Sequence, residues 1–172
     1  MASSTAMMTE LANDGNVSVH GTITNSSLGE LHLFDHHDWS GKGQYPPKIP
    51  QDEVRTFTHE GSDPDGSVAA VIYSGKNEAS ETRDNCGWLL AWEVPNSGRN
   101  KVYVKCGPID EFQPGQINWD DIRNILGQSA DHSKYEDPDT KTTASAKIDK
   151  GKYPADVRAT FGVAKLASSE FT

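Results

Sequence analysis

The 172-residue chain is short of several things, and each shortage removes a class of function. It has two cysteines, too few for a disulfide scaffold or a four-cysteine zinc site. It has 16 Lys and Arg against 25 Asp and Glu, a formal charge of −9. Nucleic-acid binders carry basic footprints, and a chain this acidic lacks one. The same deficit argues against adhesion to anionic lipid by charge alone. The longest apolar run, Val68-Ala-Ala-Val-Ile-Tyr73, is 6 residues, far short of a membrane-spanning helix. P-loops, dinucleotide fingerprints, nucleophile elbows and HExxH zinc motifs are all missing. No basic and apolar signal precedes the first turn, so no signal peptide is expected. The expected locations are the cytoplasm, leaderless release, or the periphery of a membrane surface.

What is present reads as β structure. Val17, Val19, Gly21 and Ile23 alternate with Ser18, His20, Thr22 and Thr24, the period of a half-buried strand. Leu31 and Leu33 begin a second strand, with Phe34 out of phase. Asp35 to Gly43 reads as a polar loop, and Pro46, Pro47 and Pro50 exclude a central strand after it. Further strands are expected at 54–58, 68–73, 87–94, 101–106, 144–148 and 157–163. Gly61 to Gly66 and Pro95 to Asn100 are turns, and 128–142 reads as loop. One helix is expected at 118–126. Asn118 can cap it, Asp120 and Asp121 suit its positive end, and Gly127 can stop it. Trp119, Ile122 and Leu126 share one face of that helix.

These elements predict a mostly-β fold of about eight strands, a sandwich or barrel. The expected organisation is a flexible arm at 1–15, a single β-sandwich domain at 16–166, and a flexible tail at 167–172. No repeat or linker interrupts it.

Little in the polar residues points to catalysis. Asp35-His-His-Asp38 is rich in ligands, but neighbours on an extended chain point opposite ways and do not converge on an ion. Asp120 and Asp121 read as dipole complements. Cys86 and Cys106 bracket a hairpin two or three residues out of direct register and read as buried thiols, with a disulfide as the alternative. Asn16-Val-Ser and Asn25-Ser-Ser match the glycosylation pattern and, without a signal peptide, should stay unmodified. No metal or cofactor is expected, and the chain is read as a non-enzyme. Trp88 and Trp92 share one side of a strand and read as core. Trp39 sits in polar surroundings and Trp119 begins a short helix. Both suit lipid interfaces or sugar stacking.

The order of motifs carries a resemblance. Gly66-Ser-Val-Ala-Ala-Val-Ile-Tyr-Ser-Gly, then Leu-Leu-Ala-Trp-Glu-Val-Pro, then Asn-Lys-Val-Tyr-Val-Lys-Cys-Gly resembles the actinoporins. In those cytolysins two such strands meet at a Val-Pro corner. Trp39-Ser-Gly and Pro47-Lys-Ile-Pro50 precede it, and Asn118-Trp-Asp-Asp-Ile-Arg-Asn-Ile-Leu follows, in the same order. His37-Asp-Trp-x-Gly, Gly66-Ser-Val-Ala-Ala-Val-Ile-Tyr-x-Gly-Lys-Asn and Ala91-Trp are similar to the jasmonate-induced proteins of plants. Within this superfamily the chain most resembles the nakanori-like fungal proteins that bind sphingomyelin with cholesterol, and it is similar to fungal lectins of the same fold.

The resemblance implies an actinoporin-like β-sandwich of two antiparallel sheets with one or two short flanking helices. It implies a headgroup site at Ser40, Asp65, Gly66, Glu93, Pro95, Trp119, Arg123 and Asn124, with Trp39 and Tyr45 as membrane contacts. A quaternary ammonium takes an aromatic face and a carboxylate, which Trp119 with Glu93 or Asp65 can supply. A phosphate takes an arginine, Arg123 or Arg99. Glu93 replaces an expected Ser, and Arg123 and Asn124 replace expected Tyr residues, which opens the site to other headgroups. The implied partner is a sphingolipid, sphingomyelin with sterol, and the alternative partner is a glycan. Residues 1–15 are too short and polar for the pore-forming helix of actinoporins, so binding without a pore is expected.

Overall fold

The structure is a computed structural model that describes residues 17–164. The expected arm at 1–15 and tail at 167–172 lie outside those residues. In chain order the strands are β1 (Ser18–Ser26), β2 (Leu31–Ser40), β3 (Lys42–Gln44), β4 (Lys48–Ile49), β5 (Val54–Glu60), β6 (Ser67–Gly75), β7 (Cys86–Val94) and β8 (Lys101–Pro108). A 3-10 turn (Ile109–Phe112) and helix α1 (Trp119–Gly127) follow, then β9 (His132–Glu136), β10 (Thr142–Ile148) and β11 (Ala155–Val163).

Two sheets form. The larger runs β3-β5-β1-β11-β10-β9 and the smaller β4-β2-β6-β7-β8. All pairings are antiparallel except β1 with β11, which run parallel from Val19 opposite Ala155 to Ser26 opposite Gly162. The fold is the expected mostly-β sandwich with a flanking helix.

Val19, Ile23, Phe57, Trp88, Trp92 and Phe161 pack between the sheets. A second apolar layer, with Val68, Ala70, Leu89, Ala91, Ile122 and Leu126, fills the outer face of the smaller sheet beneath α1. Covering the sheet on both faces explains why β6 is buried at every position and lacks alternation. Gly21 lets the inner layer close, because a Cβ there would stand 2.0 Å from the Phe57 ring. Trp88 sends its indole N–H across the sandwich to the carbonyls of Thr143 (3.1 Å) and Gly162 (3.2 Å).

Two expectations need correction. Asp35 to Ser40 is not loop but the second half of β2. The ladder with β6 slips between Leu33 and Asp35 and again between Asp38 and Ser40, leaving Phe34 and Trp39 as extra residues. Each slip reverses the in–out alternation, so the segment carries no strand period in sequence. Similarly, 132–136 is the edge strand β9, which pairs with β10. Four of its five residues are exposed, and a strand with no buried face shows no apolar alternation. β9, with the short β3 and β4, brings the strands among the described residues to eleven, against eight expected.

Cys86 and Cys106 are buried and free. Cys86 stands opposite Pro108 and Cys106 opposite Trp88, the two-residue offset expected of the hairpin. Asn25 is fully buried. Its amide donates to the carbonyls of Gly29 (2.9 Å) and Ile49 (2.8 Å) and accepts from the Ser27 backbone N–H (2.9 Å) and hydroxyl (2.6 Å). Such an amide is no acceptor for a glycan in the folded protein.

Candidate functional site

Helix α1 crosses the outer face of the smaller sheet and organises the site. Asn118 caps it, its side chain accepting from the Asp121 N–H at 3.1 Å. Ile122 and Leu126 pin it to the sheet. Lys101 on β8 donates from Nζ to the Gly127 carbonyl at 2.8 Å and satisfies the other end. The helix therefore starts over β2 and ends over β8.

At its start an aromatic cluster forms. The bulge in β2 leaves Trp39 on the outer face with His37. The His37 ring stacks on Trp119 at 5.0 Å and 16°, and meets Trp39 edge-on at 4.9 Å. The two indoles stand 5.9 Å apart at 79°. All three rings are half-buried, and both indoles lie against the layer beneath α1. One turn further along the helix, Arg123 donates from a guanidinium N–H to Glu93 Oε1 on β7 at 2.9 Å. The Glu93 side chain is 14% exposed and that of Arg123 34%. A carboxylate, a guanidinium and an aromatic wall thus share one stretch of surface.

A second group of expected residues meets at the sheet end. Ser40 stands beside Val68, which stands beside Glu93, across three strands. The Ser40 hydroxyl donates to the Gly66 carbonyl at 2.7 Å and holds the 61–66 turn. Gly66 has φ +85°, and a Cβ there would meet the Val94 carbonyl oxygen at 2.2 Å, so it is seated against the Val94-Pro95 corner. Asp65 and Asn124 are exposed at the margin. Arg99 lies elsewhere, in a cleft beyond the far end of α1.

Trp39 and Tyr45 do not share a face. Tyr45 packs on the inner side against Phe57 (5.4 Å) and Trp92 (6.2 Å). Its hydroxyl donates to Asp38 Oδ1 at 2.9 Å, and burial followed by that carboxylate pushes its pKa well up. His37 was missing from the expected headgroup residues. It lies two residues before Trp39 on β2, a spacing that shares a face only in a strand, and the polar composition of 35–43 masks the strand.

Beneath Tyr45 lies a polar chain that no motif announces. Trp92 Nε1 donates to Ser67 Oγ (3.0 Å), Ser67 Oγ meets His59 Nδ1 (2.7 Å), and His59 Nε2 meets Asp38 Oδ1 (3.0 Å). The types are those of a nucleophile, a base and an acid. Ser67 and His59 are fully buried, however, and the Ser67 oxygen already receives the indole N–H. The chain ties the sheets together and offers no surface to a substrate. Among the described residues no three His, Cys, Asp or Glu side chains converge as a metal site would require. Nor is any helix there long and apolar enough to cross a membrane.

A cleft of about 570 Å³ lies between the β7–β8 loop, the end of α1 and the β10–β11 turn. Arg99, Lys101, Gln128, Asp131, Asp149 and Lys150 contribute to it, a mixture of donors and acceptors without an aromatic floor.

Comparison with known proteins fits this architecture. No family model matches the sequence. A solved structure, that of the lipid-binding protein Nakanori, superposes with a TM-score of 0.72 over 93% of this chain and 79% of that one, at 16% identity. That likeness is one of fold. The sequence likeness is to plant proteins. A 23 kDa jasmonate-induced protein of Hordeum vulgare is 29% identical over 114 residues, 63% of this chain and 53% of that protein. A jasmonate-induced protein homolog of Atriplex canescens is 36% identical over 149 residues, 83% of this chain and 78% of that protein. By this measure the chain belongs to the jasmonate-induced protein family of plants, carried on a β-sandwich that a lipid-binding protein shares.

Proposed function

We propose that the protein is a non-enzymatic, peripheral membrane-lipid binder that recognises a zwitterionic sphingolipid headgroup without forming a pore. The observation that carries the reading is the Trp39–His37–Trp119 cluster beside the Glu93–Arg123 pair on one open face. Half-buried indoles suit the interfacial layer of a bilayer, and a guanidinium suits a phosphate. The fold shared with a lipid-binding protein supports the same reading. In this proposal Trp119, Arg123 and Glu93 contact the headgroup. Ser40, Gly66 and Pro95 shape its floor, and Asp65 and Asn124 stand at its rim. Trp39 enters the interface, and Tyr45, packed on the inner side of the sheet, does not. A net charge of −9 is compatible with this, since a zwitterion is recognised by geometry and not by bulk attraction.

Co-sedimentation with vesicles tests the proposal. The panel contains phosphatidylcholine alone, with sphingomyelin, with an ethanolamine sphingolipid, with phosphatidylethanolamine and with phosphatidylserine, each with and without cholesterol. Binding to a zwitterionic sphingolipid that is lost in Trp39→Ala and Trp119→Ala is the expected result. Absence from every pellet overturns the reading. Release of trapped dye overturns its pore-free part.

The 570 Å³ cleft favours a second reading, a lectin. Its interleaved carboxylates, amide and cations suit vicinal hydroxyl groups. Capture on a glycan array, abolished by Asp131→Asn with Asp149→Asn, would support a glycan ligand over a lipid.

A further inference from the structure

We propose that this site selects a primary ammonium over a quaternary one, so that its ligand is a phosphoethanolamine headgroup and not a phosphocholine. The inference rests on the lipid-binding reading above and names the chemistry of the same site.

The two cations are recognised by different means. A trimethylammonium has no N–H to donate and is held by the open faces of aromatic rings. An ethanolamine ammonium has three N–H donors and is held by carboxylate oxygens through charge-assisted hydrogen bonds. The site is poor in the first and equipped for the second.

One aromatic face is already taken. His37 lies nearly parallel to Trp119 at 5.0 Å and covers one face of that indole. The Trp119 ring packs otherwise against the layer beneath α1. Trp39 stands steeply to both rings, at 64° to His37 and 79° to Trp119, and offers no parallel face to pair with the open side of either. A trimethylammonium would have to displace the imidazole to reach that face of Trp119.

The carboxylate, in contrast, has an oxygen to spare. Glu93 stands on β7 opposite Val68, on the face that α1 crosses. It holds Arg123 through one oxygen at 2.9 Å, and no other hydrogen bond or ion pair to its side chain occurs among the described residues. A carboxylate has about four acceptor positions and a guanidinium five donors, so each can take a further partner while the pair stays intact. A headgroup laid antiparallel to that pair places its ammonium on Glu93 and its phosphate on Arg123. Each charge then faces an opposite one.

The test compares vesicles of phosphatidylcholine containing equal fractions of ceramide phosphoethanolamine or sphingomyelin. Soluble O-phosphoethanolamine and phosphocholine serve as competitors. The native protein should bind the ethanolamine vesicles about tenfold more tightly or better, the worth of one charge-assisted hydrogen bond. O-phosphoethanolamine should be the stronger competitor by a similar factor. Glu93→Gln, checked for folding by its circular dichroism, should lose the preference while keeping residual binding to both vesicles. His37→Ala uncovers the Trp119 face and should strengthen binding to sphingomyelin vesicles. Equal or tighter binding of sphingomyelin by the native protein overturns the inference and leaves the lipid-binding reading standing. Binding to neither vesicle overturns both.

Discussion

His59 Nε2 and Asp38 Oδ1 lie 3.0 Å apart although one belongs to the larger sheet and the other to the smaller. With Ser67 on the other ring nitrogen, His59 is a fully buried imidazole whose partners sit across the sandwich. Burial holds its pKa below 6.5, against the pull of Asp38 in the other direction and with a smaller lowering from His36. The unfolded chain therefore binds a proton that the native chain resists. Stability should fall as pH drops below about 6.5 and keep falling through the native value. His32 acts with the opposite sign. Its burial lowers its pKa, but Asp84 and Glu30 together raise it above 6.5. It adds stability below 6.5 that is lost as pH rises through the raised value. Its side chain is 47% exposed, so its share is small. Thermal melts of native protein and His59→Gln between about pH 8 and pH 5 isolate the buried group. The native melting temperature should drop more steeply with acid, and parallel profiles would remove His59 as the cause.

Trp119→Ala should weaken vesicle binding by about 1–3 kcal/mol with the fold retained, because Ile122 and Leu126 still anchor α1. Trp39→Ala should act in the same direction, since both rings belong to one cluster. If Trp119→Ala instead loses its cooperative melt, the ring is structural and the binding face lies elsewhere.

Gly66→Ala should destabilise by about 2–4 kcal/mol, combining a left-handed backbone with a Cβ 2.2 Å from the Val94 oxygen. A denaturant midpoint equal to that of the native protein would show that the turn can rearrange freely.

Asn25→Ala removes the partner of four hydrogen bonds inside the β1–β2 connection and should cost about 2–3 kcal/mol. Expression in a glycosylating secretory host should leave Asn25 of folded protein unmodified by peptide mapping. A glycopeptide containing Asn25 would contradict its burial.

The thiols should be inert. Burial first, then nearby Asp137, pushes Cys86 up to about 12, and burial likewise pushes Cys106 up to about 11. Neither supplies a thiolate near neutrality. Iodoacetamide should label both only after denaturation, and rapid labelling of native protein would show that the edge of β8 opens.

Much of this molecule was legible where one periodicity ruled a whole segment. Val68 to Tyr73, the paired Trp88 and Trp92, and the Asn118-capped helix with Trp119, Ile122 and Leu126 on one face were all readable. The second half of β2 was not. The extra residues Phe34 and Trp39 reset its alternation, and His37 was thereby lost from the expected site. Glu93 and Arg123 could each be singled out from the order of motifs. That they neutralise each other at 2.9 Å depends on α1 lying over β7, which no local pattern encodes. Tyr45 and Trp39 are near in sequence yet separated by the thickness of a sheet, again because of the bulge. The Asp38–His59–Ser67 chain joins three strands and has no signature at all.

The parallel pairing of β1 with β11 has a bearing on how the protein is made. β11, which is synthesised after every other described strand, fills the middle of the larger sheet, between β1 and β10. Until Val163 has emerged, β1 keeps an unpaired edge and Val157 and Phe161 are missing from the core. The sandwich therefore closes as a late, long-range event, with an exposed strand edge throughout synthesis.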